Sequence, residues 1–114
     1  MHVIVYYKTK DEKVPVLEFL DKQTLKVQSK LLKHITLLSK EGPNLRRPYA
    51  DYLESGIYEL RVKFSPNEYR VLYFFAFMER IVLTHGFTKK SSKIPNLEVA
   101  KALKYKLDFE RRIK

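Results

Sequence analysis

The stretch from Tyr58 to His85 constrains the fold more than any other. Tyr58, Leu60, Val62 and Phe64 alternate with Glu59, Arg61 and Lys63, the period-2 pattern of a strand with one buried and one wet face. Ser65-Pro66-Asn67-Glu68 has the composition of a turn, and Tyr69 to Phe77 resumes as a strand. This second strand is apolar on both sides: Val71, Tyr73, Phe75 and Phe77 on one, Leu72, Phe74 and Ala76 on the other. A strand without a wet face must be central and covered above and below. Met78-Glu79-Arg80 turns the chain, and Ile81 to His85 forms one more strand.

The flanking segments supply the cover. His2 to Tyr7 is rich in β-branched and aromatic residues and reads as a strand, joining the sheet as an edge or as partner of the last meander strand. Pro15 suits the first turn of a helix, with Val16, Leu17 and Leu20 on its apolar side. A longer helix runs from about Thr24 to Lys40, its stripe formed by Leu25, Leu31, Leu32, Ile35 and Leu38, and Gly42-Pro43 ends it. Leu45 to Ser55 reads as loop. After a second loop from Gly86 to Ile94, Pro95-Asn96 open a last helix with Val99, Leu103 and Leu107 on one side. The order β-α-α-β-β-β-α predicts an α+β fold, a small antiparallel sheet flanked by helices. At 114 residues the chain suits a single domain spanning 1–114.

Charge narrows the partners. Lys and Arg number 23 against 13 Asp and Glu, a net of +10, which points to a polyanion such as nucleic acid. The excess sits in two blocks, residues 22–48 and 86–114, each with a net of +6, around a near-neutral middle. With no cysteine there is no thiolate nucleophile, disulfide framework or Cys-based metal site. His2, His34 and His85 have no metal-ligand spacing, and no Walker loop, dinucleotide fingerprint or Gly-x-Ser-x-Gly elbow occurs. No cofactor and no metal is therefore expected. No apolar run approaches the roughly 20 residues of a membrane span, and the amino terminus lacks the basic region of a signal peptide. A cytoplasmic location and no membrane partner are expected.

Two groups of residues carry candidate chemistry. If Phe64 pairs with Tyr69 in the hairpin, Lys63 lies opposite Arg70, with Arg61 two residues along the same side. Opposed like charges destabilise a sheet by some tenths of a kcal/mol, so their presence suggests a shared anion. Alternatively Arg70 is solvated at the hairpin end and pairs with Glu59 or Glu68. The second group is Thr84-His85-Gly86-Phe87-Thr88-Lys89-Lys90-Ser91-Ser92-Lys93: a strand ending in His, a glycine that frees the backbone, then three Lys and three hydroxyls. Such a loop can hold phosphate, and His85 can move a proton near neutral pH. Alternatively the loop is basic without specificity and His85 is a packing residue.

Taken in order, Gly56-Ile57-Tyr58-Glu59-Leu60-Arg61, Tyr69-Arg70-Val71-Leu72-Tyr73, Leu83 through Lys90, and Pro95 before an Ala-containing helix resemble the RelE/HigB toxin superfamily, in its phage-derived HigB-like branch. The resemblance spans nearly the whole chain. It implies a RelE-like fold and the toxin of a type II toxin–antitoxin pair: an endoribonuclease that cuts mRNA on the ribosome without metal, by attack of the ribose 2′-hydroxyl on the adjacent phosphate. The implied partners are the ribosome, mRNA and a cognate antitoxin of helix-turn-helix type. Carried onto this sequence, Arg61, Arg70, His85 and Lys89 are the catalytic candidates: the arginines for phosphate charge, His85 for proton transfer, Lys89 for phosphate contact or acid catalysis. Lys63, Lys90, Lys93, Arg46 and Arg47 are candidate nucleic-acid contacts. RelE has Lys where this chain has Glu59, and its functional carboxyl-terminal Tyr has no placed equivalent, since Tyr105 falls inside the last helix.

Toxins of the ParE branch share the fold but poison gyrase, so a gyrase poison and a non-catalytic nucleic-acid binder are the rival functions. Losing Arg70 is expected to abolish toxicity with the fold intact, whereas Tyr73→Ala is expected to unfold the chain.

Overall fold

The computed structural model describes residues 1–90 and 92–113. Its elements are β1 (Val3–Tyr6), α1 (Pro15–Asp21), α2 (Leu25–Glu41), a 3-10 turn (Gly42–Asn44), β2 (Ala50–Glu54), β3 (Ile57–Phe64), β4 (Asn67–Ala76), β5 (Arg80–Lys89) and α3 (Asn96–Arg112). The fold is α+β. The five strands lie in the order β1-β5-β4-β3-β2, so β4 is central, as its two apolar faces require. Its odd-numbered residues Val71 and Tyr73 join Leu60, Val62, Ile81 and Leu83 against α1 and α2. The even-numbered Leu72 and Phe74 join Ile57, Val82 and Ala102 in a second core beneath α3.

The sheet departs from the sequence expectation in four places. First, Leu45 to Ser55 is not all loop: Ala50–Glu54 forms an edge strand paired with β3, whose Asp and Glu gave it no apolar signature. Second, β1 pairs with β5 in parallel, so the sheet is mixed rather than purely antiparallel. Third, the hairpin closes through Ser65-Pro66 alone, with Phe64 opposite Asn67. This moves the register by two residues: Arg61 faces Arg70, and Lys63 faces Glu68. A two-residue shift keeps every side chain on its face, so the inward and outward sets survive. Fourth, β5 does not stop at His85 but runs on to Lys89. Gly86 thus lies within a strand, not a loop; a Cβ there would come within 2.4 Å of the Phe19 ring, and its absence lets α1 seat against β5.

The helices keep their predicted positions with altered faces. Thr24 caps α2 by accepting a hydrogen bond from the Val27 amide, which satisfies one of the orphan donors of the first turn. Gly42 ends it at φ +52°, where a Cβ would also strike the His2 ring. The buried stripe of α2 is Val27, Leu31, Ile35 and Leu38, while Leu25 and Leu32 face solvent. In α1 Phe19 is buried in place of Leu17, and in α3 the inner side is Val99 and Ala102, with Leu107 exposed. The far end of α3 is tied down by Tyr7, which stacks on Tyr105 at 4.5 Å and donates to Asp108 at 2.5 Å.

Candidate functional site

Beyond the reach of α3, the same side of the sheet is lined with charge. Period-2 alternation puts Glu59, Arg61 and Lys63 of β3 on this side. Register adds Glu68 and Arg70 of β4, Phe87 and Lys89 of β5, and Asp51 of β2. Three of the four catalytic candidates, Arg61, Arg70 and Lys89, therefore share one surface with Lys63.

Their environments differ sharply. Arg70 is buried, its side chain 2% exposed. Its Nε donates to Glu59 Oε1 at 2.9 Å, one terminal nitrogen to Glu68 Oε1 at 3.1 Å and the other to the Tyr69 carbonyl at 3.1 Å. A guanidinium so enclosed cannot meet a phosphate; it organises two carboxylates. The paired reading of Arg70 is the one the geometry supports, with both Glu59 and Glu68 as partners and burial in place of solvation. Replacing Arg70 should then destabilise the chain, which corrects the expectation that the fold tolerates its loss.

Arg61, opposite Arg70, is half-exposed and donates no side-chain hydrogen bond among the described residues. The repulsion between the two guanidiniums is offset by Glu59 behind and by Asp51, whose carboxyl Arg61 helps to hold below its ordinary range. The leading cause of that lowering is the hydrogen bond from Arg47, whose Nε and terminal nitrogen contact Asp51 at 3.0 and 2.7 Å. Arg47 thus reaches the surface from the segment before β2, at one end of a row of alternating charge. Glu68 is likewise lowered, first by its bond to Arg70 and then by Lys89 and Lys63 nearby, so it is a carboxylate that stays ionised in mild acid.

Lys89 and Lys90 line a hollow of about 350 Å³ with Pro66, Asn67, Glu68 and Ser92 at the hairpin tip. Arg46 and Arg47 line another of about 520 Å³ around the β2 edge, beside Tyr52 and Tyr58. Lys93 is exposed in the segment between β5 and α3. Ser91, one of the three hydroxyls in the phosphate-loop reading, and the terminal Lys114 lie outside the described residues.

His85 is the candidate that the structure withholds from this surface. It lies on the same side of the sheet but under α3 and is 3% exposed. Nε2 sits 3.0 Å from Glu98 Oε1 and Nδ1 3.1 Å from Thr84 Oγ1, whose one proton is donated to the Leu72 carbonyl. Burial pushes the imidazole below its ordinary pKa, against the opposing pull of Glu98. With both ring nitrogens occupied, His85 ties β5 to the first turn of α3 rather than presenting a proton to a ligand. Thr84 is the extra residue of a bulge, where Leu72 and Tyr73 pair with His85 and Leu83; the bulge turns His85 toward α3.

Sequence reasoning missed Asp51, Phe87, Thr84 and Glu98. Period-2 reading extended past His85 would have put Phe87 on the side of Ile81 and Leu83, because the bulge at Thr84 reverses the phase; nothing in the sequence links Glu98 to His85 thirteen residues earlier. The description of one protein family, "Phage derived protein Gp49-like (DUF891)", matches residues 18–106, well over half of the chain. No curated protein matches the chain.

Proposed function

Since the chain belongs to the Gp49-like family of phage-derived proteins, a toxin-like family related to RelE and HigB, we propose that it is the toxin of a type II toxin–antitoxin pair and cuts ribosome-bound mRNA without a metal ion. The observation that carries this reading is Arg61: a half-buried guanidinium two residues from Lys63 on β3, beside the buried Arg70–Glu59 pair, with Lys89 on the same side of the sheet two strands away. Attack of a 2′-hydroxyl on the neighbouring phosphate forms the O2′–P bond, gives up the hydroxyl proton to water and builds surplus negative charge on the phosphorane before the P–O5′ bond breaks. Preorganised cations aimed at that charge lower the barrier, and removal of one such donor typically costs about 10²–10³ in rate. Arg61 takes this part, with Lys89 beside the leaving 5′-oxygen as donor of a proton or hydrogen bond. Glu59, Arg70 and Glu68 hold the strand positions from which Arg61 and Lys89 project. Arg47, Lys63, Lys90 and Lys93 contact flanking phosphates and position the strand without reading its sequence.

Induction of the chain in cells with mapping of mRNA 5′ ends tests the proposal. Codon-phased cuts that disappear with Arg61→Ala support it. Continued translation without new ends refutes it, and DNA damage with filamentation and intact mRNA would indicate a gyrase poison instead.

A further inference from the structure

The outer side of α2 bears an apolar seam that the core does not use. Leu25 and Leu32, seven residues apart, are 82% and 45% exposed. With Ser29, Lys33, Thr36 and Lys40 they line an open groove of about 650 Å³. Lys33 and Lys40, with Lys26 at the same interval, form a cationic row beside the leucines. Lys30 is engaged elsewhere, on the Lys63 carbonyl and over the Phe64 ring. The sole carboxylate of α2 is its last residue, Glu41.

This arrangement discriminates among occupants. RNA would use the lysines but gains nothing from leucines held in water. A second copy would cover the leucines but set one lysine row against another. A helix with an apolar seam and carboxylates along its flank satisfies both features, the leucines entering its holes and the lysines meeting its acids. We propose that the outer face of α2 docks one acidic amphipathic helix of a partner protein; on the toxin reading above, that protein is the antitoxin. The groove lies on the α2 side of the sheet, whereas Arg61 and Lys89 lie on the α3 side, so variants in one leave the other untouched.

The probe is the protein encoded by the reading frame adjoining this one, titrated onto the full purified chain by calorimetry. Leu32→Glu is expected to weaken binding about tenfold or more, a central-contact effect. Lys33→Glu with Lys40→Glu is expected to do the same and to flatten the salt dependence. Lys104→Glu on α3 should bind within about twofold of the parent. All these positions are exposed, and far-ultraviolet circular dichroism checks that each variant folds. The proposal is overturned if the parent chain does not bind, or if both groove variants bind as it does. It is also overturned if the free chain is a dimer that Leu32→Glu splits, or if the groove variants lose affinity for a short RNA while keeping the protein. Failure of the toxin reading registers separately, as absence of mRNA cleavage by the free chain, a readout into which docking affinity does not enter.

Discussion

Replacement of Arg70 by Met separates a buried organising pair from a substrate contact. The side chains of Arg70 and Glu59 are 2% and 7% exposed and meet at 2.9 Å. Met fills much of the aliphatic volume of Arg but leaves Glu59 buried without its cation. Breaking a buried pair from one side costs about 3–5 kcal/mol, most of it the stranded charge. Against the total of about 5–15 kcal/mol typical of a domain this is a large share. At about 4 °C per kcal/mol for a chain of this length, the midpoint of thermal unfolding should fall by about 12–20 °C. The double variant Arg70→Met with Glu59→Leu removes both charges and should recover most of the loss, since apolar replacements of whole pairs are often neutral. Thermal and urea unfolding at neutral pH, followed by circular dichroism, give both numbers. A single variant that melts within about 2 °C of the parent, or a double variant that melts no higher than the single one, would refute the reasoning.

Other outcomes follow from neighbouring residues. Arg61→Ala, at a half-exposed position without hydrogen bonds among the described residues, should change stability by no more than about 0.5 kcal/mol while mRNA cleavage in a purified ribosome assay falls about 10²-fold or more. Tyr73 is 1% exposed and stacks on Tyr58 at 5.4 Å, so Tyr73→Ala should cost about 3–5 kcal/mol in urea unfolding. His85 has its pKa lowered from 6.5 by burial, so below that pH the unfolded chain takes up a proton that the folded chain resists. Stability should therefore fall as pH drops from 6.5 toward the lower folded value, and His85→Gln should flatten that slope in urea titrations at pH 5 and 7.5. Gly86→Val sets a side chain against the Phe19 ring, where even a Cβ meets atoms at 2.4 Å; proteolysis should show α1 loosened from the sheet.

What could be read from the residues, and what could not, has physical causes. Alternation along Tyr58–Phe64 and the two-sided apolar run of β4 placed Arg61 and Arg70 on one side of a central hairpin, because side-chain period does not depend on turn length. Register does depend on it, and the short Ser65-Pro66 turn put Arg61 rather than Lys63 opposite Arg70. The pairing of Arg70 with Glu59 and Glu68 was open to a reading of the residues, but its burial was not, since Arg70 sits only three residues after β4 begins, at a hairpin end expected to be solvated. In α2, Leu25 and Leu32 looked like core because a helical wheel of apolar residues cannot distinguish the side that meets a sheet from one left for another partner. Arg47 entered as a loop cation, and its link to Asp51 depends on β2, an edge strand too polar to announce itself. The role of His85 turned on a bulge and on a helix that begins eleven residues after it.

The most direct test is chemical. Purified chain, ribosomes and a defined mRNA are combined at the magnesium level that keeps ribosomes assembled, and the fragment ends analysed. The expected result is codon-phased cleavage leaving 2′,3′-cyclic phosphate and 5′-hydroxyl ends, lost with Arg61→Ala. Intact mRNA, or cleavage that persists without Arg61, would contradict a cationic surface built around that side chain as the seat of the reaction.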